Sequence, residues 1–287
     1  MDYTLHEWVR MASHHESIAR CAIEKQTEES GLDALAVREK MRHHLRVMQE
    51  AAQQGLDERL RSVTGLTGGQ AALMMKRLQA GKCLAGNLLG KAEVYALATA
   101  ECNGCMGKIV AAPTAGACGI LPGAVLAMME EKGATEEQAV DALFVAAAVG
   151  QAIATQASIS GAEGGCQAEC GSAAAMAAAA LVYLEGGNPQ QCADAAAFAL
   201  MNLLGLVCDP VGGLVEVPCV YRNVGASGIA FTAADMVLSG IRCPIEPDEV
   251  ILAMKEVGDA LPTSLRETGE GGCAACESIC KRLHHKE

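Results

Sequence analysis

Hydrophobic and polar positions divide the 287-residue chain into distinct regions. From Thr4 to about Gln54, apolar residues recur at spacings of three and four among charged ones. This pattern predicts two amphipathic helices, separated near Ser30 and Gly31. After the sequence TGLTGG at 64–69, charged residues become rare for a long stretch, and alanine, glycine and methionine dominate. Such a composition is typical of helices that are buried on nearly every side.

Two helix boundaries are marked by capping signals further along the chain. In KGATEEQAV, Thr135 is a predicted N-cap and Gln138, three residues later, is its capping-box partner. In the segment 242–262, Pro247 and Asp248 are expected to open a helix that stops before Pro262.

The composition favours an all-α fold. Aromatic residues make up 3% of the chain and apolar residues 51%, so most of the buried surface must come from alanine, leucine, valine and methionine. The sequence has no internal repeat and no low-complexity linker. We therefore expect one alanine-rich helical domain over 1–287, with amphipathic helices in 1–63, a buried core in 64–240, and a C-terminal helix with a cysteine-rich tail in 241–287.

Charge and hydropathy exclude several classes of partner. The net charge of -12 argues against a nucleic-acid surface, which needs clustered Lys and Arg. The N-terminal segment MDYTLHEWVRMASHH carries charges where a signal peptide needs an apolar core. The longest apolar runs, near 143–154 and 172–184, are short or dominated by alanine. We expect a cytoplasmic protein with no nucleic-acid or membrane partner.

Fourteen cysteines point to metal binding or thiol chemistry, because a cytoplasmic chain does not use a disulfide framework. Some of them are expected to be small core hydrophobes, as at Cys21, Cys83 and Cys192. Iron-sulfur clusters need thiolates on backbone that can bend around the cluster. Glycine- or proline-bearing breaks in the helical pattern contain the candidates Cys102, Cys105, Cys118, Cys166, Cys170, Cys208 and Cys219. This criterion alone does not choose among them.

The tail GGCAACESICKRLHHKE offers a second candidate metal site. Its C-x2-C-x3-C spacing over Cys273, Cys276 and Cys280, with His284 and His285 nearby, resembles a metal-ligand pattern. The alternative is a C-terminal helix in which Cys276 and Cys280, four residues apart, face the core.

Other catalytic motifs are missing from the sequence. It contains no G-x-S-x-G, no G-x-G-x-x-G after a strand, no P-loop and no H-E-x-x-H. Lys108 is the one lysine in a loop suited to a pyridoxal phosphate Schiff base, and a solvated or ion-paired role fits it better.

Four segments together resemble a known family. VAAPTAGACGILPG, SGAEGGCQAE, LVCDPVGGLVEVPC followed by RN, and SLRETGEGG are similar to the alpha chain of bacterial iron-sulfur-dependent L-serine dehydratases. The resemblance extends from about Leu5 to Gly272. It implies an all-α fold and deamination of L-serine to pyruvate and ammonia without pyridoxal phosphate.

The same resemblance implies a [4Fe-4S] cluster held by Cys166, Cys208 and Cys219, with the fourth iron open to substrate. The glycines at 161–165 would then end a helix so that Cys166 turns toward iron. A tail cysteine caps the open iron in some relatives, and Cys273, Cys276 and Cys280 are the candidates here. The resemblance also implies a beta chain, or a fused domain, that supplies a histidine from a Ser-His-Thr motif absent from this chain.

Substrate contacts are expected in the loop PTAGACG, where the N–H groups of Thr114, Ala115 and Gly116 can converge on a carboxylate. A plain helix-entry turn is the alternative. The resemblance adds Ser160 and Asn223 as substrate-binding candidates. Glu163 and Glu169 flank a candidate ligand and either orient other groups or act as solvated or capping residues. The sequence assigns no general base.

Two other functions remain open at this point. One is a related lyase acting on L-cysteine or L-threonine, since the side chains that recognise the β-substituent can come from the partner. The other is a non-catalytic iron-sulfur subunit with a redox-sensing role.

Overall fold

A computed structural model describes residues 3–15 and 17–284 of the chain. Throughout this part the regular elements are helical, which confirms the all-α prediction. The helices are α1 Leu5–His15, α2 Ile18–Ser30, α3 Ala34–Gly55, α4 Gln70–Gln79, α5 Gly86–Gly104, α6 Ile120–Glu131, α7 Glu136–Gln156, α8 Gly161–Gly164, α9 Ser172–Leu184, α10 Pro189–Leu203, α11 Cys219–Leu238, α12 Pro247–Ala260 and α13 Glu277–His284. Short 3₁₀ turns at Ala115–Ala117, Val211–Gly213, Thr263–Leu265 and Gly272–Ala275 and a π turn at Gln167–Gly171 lie between them.

The N-terminal region contains three helices, so the prediction of two is wrong. Ser17 has an extended backbone, with φ -156° and ψ 133°, and its carbonyl accepts the Cys21 amide at the start of α2. Serine favours such a helix start, and this local boundary interrupts an otherwise continuous apolar pattern. The predicted break near Gly31 is confirmed, because Gly31 ends α2 with φ 68°.

Helix α9 lies at the centre of the molecule, packed against α6, α7, α10 and α11. All of its residues from 172 to 182 are buried. Alanine buries little surface by itself, so this core depends on close approach between helices and on the many dispersion contacts that follow. Gly119 and Gly123 show how close that approach is, since an added Cβ would lie 2.2 Å from the Ala96 carbonyl oxygen and 2.5 Å from that of Ala92.

Helix α7 begins with the predicted capping box, which is confirmed. The Thr135 side chain accepts the Gln138 amide, and the Gln138 side chain accepts the Thr135 amide. By length and composition alone α7 is also apolar enough to cross a membrane. In the fold 61% of its apolar window is buried, and the helix packs against α2, α3 and α9.

Helix α12 begins at Pro247 and ends before Pro262, as predicted. Its first turn also holds the start of the chain in place. The Asp248 carboxylate accepts the amides of Leu5 and His6 at 2.8 and 2.9 Å, and therefore caps α1 from a position more than 240 residues away.

The chain turns sharply between α7 and α9, where the sequence predicted a break. Gly165 has φ 75°, a conformation that glycine adopts without strain. Directly after it, the buried Gln167 side chain donates to the Met254 carbonyl and accepts the Gly205 amide, both at 2.8 Å. These bonds tie the turn to α12 and to the loop after α10, and so fix the position of Cys166 between them.

Candidate active site

Cys166 lies just after the Gly165 turn, with its sulfur 3.4 Å from that of Cys170. The hydrogen bond with the Cys170 thiol lowers the pKa of Cys166, and the Arg222 guanidinium lowers it further, against the opposing effect of burial. The same hydrogen bond, together with burial, raises the pKa of Cys170. Cys166 is therefore the thiol in this pair that favours the thiolate form.

Cys208 and Cys219 come from the loop after α10 and from the start of α11. The Cys208 backbone pairs with the segment after α12, since its amide donates to the Leu265 carbonyl and its carbonyl accepts the Glu267 amide. Burial, followed by the charge of Cys166, raises the pKa of Cys208 and brings that of Cys219 to about 12. The three sulfurs therefore lie close enough to repel one another when ionised.

This donor set fits an iron-sulfur cluster. Cys166, Cys208 and Cys219 are 2%, 3% and 7% exposed, and the mutual repulsion of their thiolates is relieved when a positively charged group binds among them. Within residues 3–15 and 17–284, no three Cys, His, Asp or Glu side chains are close enough to hold a single metal ion.

Arg222 brings a positive charge to the same place. Its Nη2 lies 2.7 Å from Asp209 Oδ1, and its Nη1 donates to the Val207 carbonyl at 2.8 Å. Because Asp209 follows Cys208 directly, the ion pair fixes the Cys208 loop on α11. The guanidinium also contacts the Cys166 sulfur.

The predicted substrate loop lies beside these thiols. Thr114 Oγ1 donates to Glu169 Oε1 at 2.7 Å. The Asn223 side chain is 1% exposed and donates to the carbonyls of Gly116 and Cys219 at 2.7 and 2.9 Å, while it accepts the Gly119 amide. Asn223 thus ties the loop to the start of α11, where Cys219 lies.

Ala115 is exposed on this loop. Among the described residues, no acceptor is found for its amide or for that of Gly116. The N–H group of exposed Ala115 is therefore open to an anionic ligand, and that of buried Gly116 lies next to it without a protein acceptor in this part of the chain.

Glu169 lies at the centre of the arrangement, between two glycines. A Cβ added to Gly161 would lie 2.6 Å from Glu169 Oε2 and 2.9 Å from the Cys208 sulfur, and one added to Gly116 would lie 3.1 Å from Glu169 Oε1. Only residues without a side chain leave room for this carboxyl group. Burial raises the pKa of Glu169, and its hydrogen bond from Thr114 opposes that shift.

Ser160 starts α8 immediately before Gly161, and its carbonyl accepts the amides of Glu163 and Gly164. It is partly exposed, whereas Glu163 is exposed. The two acidic candidates therefore differ, with Glu169 inside the site and Glu163 on the surface. Sequence reasoning did not separate them. It named Cys170 only as one of several candidate thiols, and it did not select Asp209, whose contacts with Arg222 and Cys273 depend on the fold.

The tail approaches the site through Cys273. Its amide donates to Asp209 Oδ2 at 2.6 Å, and its thiol is close enough to Asp209 and Arg222 to feel their charges. Cys276 is exposed and precedes α13, and Cys280 is half-buried, so the expectation that both face the core is wrong. The four-residue spacing of Cys276 and Cys280 suggested a helix that contains both, but α13 begins at Glu277. His285 lies outside the described residues, and the side chain of His284 is not described either.

The sequence profile of one family, serine dehydratase alpha chain, matches residues 13–274. The chain belongs to this family. The resemblance drawn from the loop sequences is thereby confirmed. A probable L-serine dehydratase alpha chain from Bacillus subtilis is 53% identical over 237 residues, which are 83% of this chain and 79% of the relative. The L-serine dehydratase alpha chain of Peptoniphilus asaccharolyticus is 41% identical over 258 residues, or 89% and 88% of the two chains.

Some members of the family are longer proteins. An L-serine dehydratase from Streptomyces coelicolor is 42% identical over 183 residues, which are 63% of this chain but 40% of that relative. More than half of the longer relative therefore lies outside the segment shared with this alpha-chain family member.

Proposed function

We propose that this chain is the alpha chain of an iron-sulfur-dependent L-serine ammonia-lyase, which converts L-serine to pyruvate and ammonia. The observation that carries the proposal is the convergence of three buried thiols from three separate segments beside a loop with free amides, in a chain of the serine dehydratase family. The names of the relatives support L-serine as the substrate.

Cys166, Cys208 and Cys219 would hold a [4Fe-4S] cluster, and pyridoxal phosphate has no part in the proposal. When bound, the cluster supplies an open iron, a Lewis acid toward the β-hydroxyl of the substrate. Arg222 lies against the Cys166 sulfur and balances part of the negative charge of the three thiolates.

The substrate carboxylate binds to the amides of Ala115 and Gly116, which have no other acceptor in the described part of the chain. Asn223 holds the carbonyl of Gly116 and so keeps this loop beside the start of α11. The Thr114 hydroxyl donates a hydrogen bond to Oε1 of Glu169. The other oxygen, Oε2, lies on the side of Gly161 and Cys208. With its pKa raised by burial, Glu169 is suited to hold a proton at Oε2 next to the reacting substrate.

A beta chain would complete the site, since the chain has no histidine among the groups described there. The structure buries most of the block between 64 and 240 inside the helical core. Exposed apolar residues near the site include Val63, Met106, Leu214 and Tyr221. All four lie on segments that join the site, so this rim is the surface we assign to the beta chain. The additional length of the Streptomyces coelicolor relative agrees with a second functional part.

The proposal is tested by anaerobic co-expression with the adjacent reading frame, followed by measurement of bound iron and of pyruvate formed from L-serine. We expect both in the wild-type complex and neither in Cys208→Ser. The matched control is Cys192→Ser, which removes a buried thiol from α10, away from the site.

The same assay separates the remaining functions. Faster turnover of L-threonine or L-cysteine than of L-serine would change the substrate assignment. Bound iron without turnover of any of the three amino acids would favour a redox-sensing subunit. Strong inhibition by a carbonyl reagent that traps pyridoxal phosphate would contradict the cofactor assignment.

A further inference from the structure

The glycine-rich segment 62–71, called the anchor loop below, is held by two buried carboxylates. Glu101 is 0% exposed and accepts the amides of Gly68, Gln70 and Ala71 at 3.0, 3.1 and 3.0 Å. Two of these amides begin α4, so this carboxylate also caps a helix. The anchor loop is thus fixed on α5 at one of its ends.

The other end of the anchor loop is held by Glu216, which is 3% exposed. Its Oε2 accepts the Ser62 hydroxyl at 2.6 Å and also the Thr64 hydroxyl, and its Oε1 accepts the Thr64 amide at 3.2 Å. No basic side chain forms an ion pair with Glu216 in the part of the chain that the structure describes. Its charge is therefore stabilised by these three donors alone.

Glu216 lies three residues before Cys219, and its backbone is part of the same turn. Its carbonyl accepts the Val220 amide at 2.8 Å, in the first turn of α11. Glu216 therefore connects two segments. Its side chain holds the anchor loop, and its main chain holds the start of the helix that carries Cys219. Glu101 holds the same loop, but among the described residues its side-chain hydrogen bonds go to that loop and not to the Cys219 turn.

We infer that Glu216 is a positioning residue that holds Cys219 in place for the cluster, with the anchor loop as its support. The inference rests on the proposed function, because it assigns Glu216 a role toward the cluster. Loss of the carboxylate removes the acceptor that the Ser62 hydroxyl and the two Thr64 donors share, and frees the turn before Cys219. Cys219 then binds iron less firmly, although every sulfur ligand is still present.

The test compares Glu216→Gln with Glu101→Gln in the anaerobically purified complex. The readouts are iron per chain, the rate at which a chelator bleaches the cluster absorbance, and the melting temperature. We expect both variants to melt at lower temperature, since each loses charge-assisted hydrogen bonds to the anchor loop. Only Glu216→Gln should release iron faster, by about tenfold, the factor expected for a lost hydrogen bond to a charged group. Equal release rates in the two variants would overturn the inference.

A milder variant covers the case in which Glu216→Gln does not fold. Ser62→Ala removes one donor to Glu216 without changing the Cys219 segment, and it should raise the rate of iron release by about threefold. Release at the wild-type rate from Ser62→Ala would overturn the inference. In the double variant Ser62→Ala with Glu216→Gln, the two increases in the rate of iron release should not add, because both substitutions act on the same contact between Ser62 and Glu216.

Different results would contradict the role of Glu216 and the proposed function. A wild-type complex without iron would overturn the cluster assignment. Alkylation of Cys219 in the metal-free protein, followed by mass spectrometry, would still test the positioning. We expect labelling of Cys219 to be several-fold faster in Glu216→Gln than in Glu101→Gln, because the turn that buries this thiol is loosened. Equal labelling would contradict the role of Glu216.

Discussion

At the scale of single residues, three thiols share one electrostatic problem, because the charge of Cys166 raises the pKa of Cys208 and of Cys219, and the charge of Cys219 raises that of Cys208. In the proposed site one cluster binds all three thiolates, so each of them is needed to hold it. We therefore expect Cys166→Ser, Cys208→Ser and Cys219→Ser each to lose most of the bound iron, measured anaerobically. Near-normal iron in one of them would remove that residue from the ligand set. Cys21→Ala should keep its iron and lose only about 1 kcal/mol of stability.

A second prediction concerns the space around Glu169. Gly161→Ala places a methyl group 2.6 Å from Glu169 Oε2 and 2.9 Å from the Cys208 sulfur, so one of these groups must move. We expect a large loss of kcat in the pyruvate assay, with the protein still folded. Wild-type activity would show that this carboxyl position is not needed.

The matched control for that variant is Gly225→Ala in α11. A Cβ at Gly225 meets no atom within 4 Å, and the residue is exposed. Alanine there should increase stability by about 0.5–1 kcal/mol, the usual helical preference over glycine, and leave activity unchanged.

Some of these site residues could be predicted from the sequence. The family resemblance selected Cys166, Cys208 and Cys219 and the loop from Thr114 to Gly116. It did not distinguish Glu169 from Glu163, because the difference depends on Gly116 and Gly161 meeting one carboxyl group from opposite sides. That meeting is a property of helix packing and leaves no local signal in the sequence.

At the scale of elements, helix caps formed by neighbouring residues could be predicted from the sequence, whereas caps formed by residues far apart in the sequence could not. The Thr135 capping box follows from four consecutive residues, and the structure has it. Asp248 was recognised as a helix start, but its role as the cap of α1 was not, because Leu5 and His6 are far away in sequence. The break before Ile18 was missed for a different reason, since the apolar spacing continues across it.

The cap on α1 gives a prediction about stability. Asp248→Ala leaves two α1 amides without an acceptor and removes a hydrogen bond from Gln156 Nε2 at 2.7 Å. We expect a loss of about 1–2 kcal/mol in the free energy of unfolding by urea, with kcat unchanged. Glu249→Ala, an exposed neighbour in the same turn, is the control and should be close to neutral. An equal effect of both substitutions would contradict the capping role.

At the scale of the whole molecule, composition predicted the helical class correctly but did not show where apolar residues stay exposed. The alanine-rich block is buried around α9, and the exposed apolar rim near the site is small. Composition reports how much apolar surface must be covered, whereas only the fold shows that the chain covers it by itself.

The rim gives a prediction about assembly. Met106 is 83% exposed, and Met106→Asp should strongly reduce co-purification of the beta chain. Leu84→Asp is the control, because Leu84 is 97% exposed near the opposite end of α5. Equal recovery of the partner with both variants would place the interface elsewhere.

We propose that an open iron, held by three cysteines of this chain, carries the reaction, and reactivation after exposure to air tests this claim. We expect air to abolish pyruvate formation from L-serine and ferrous iron together with a thiol reductant to restore it, because the iron without a protein ligand is lost first. Simple oxidation of surface thiols would be reversed by reductant alone. Full recovery with dithiothreitol and no added iron would contradict the claim.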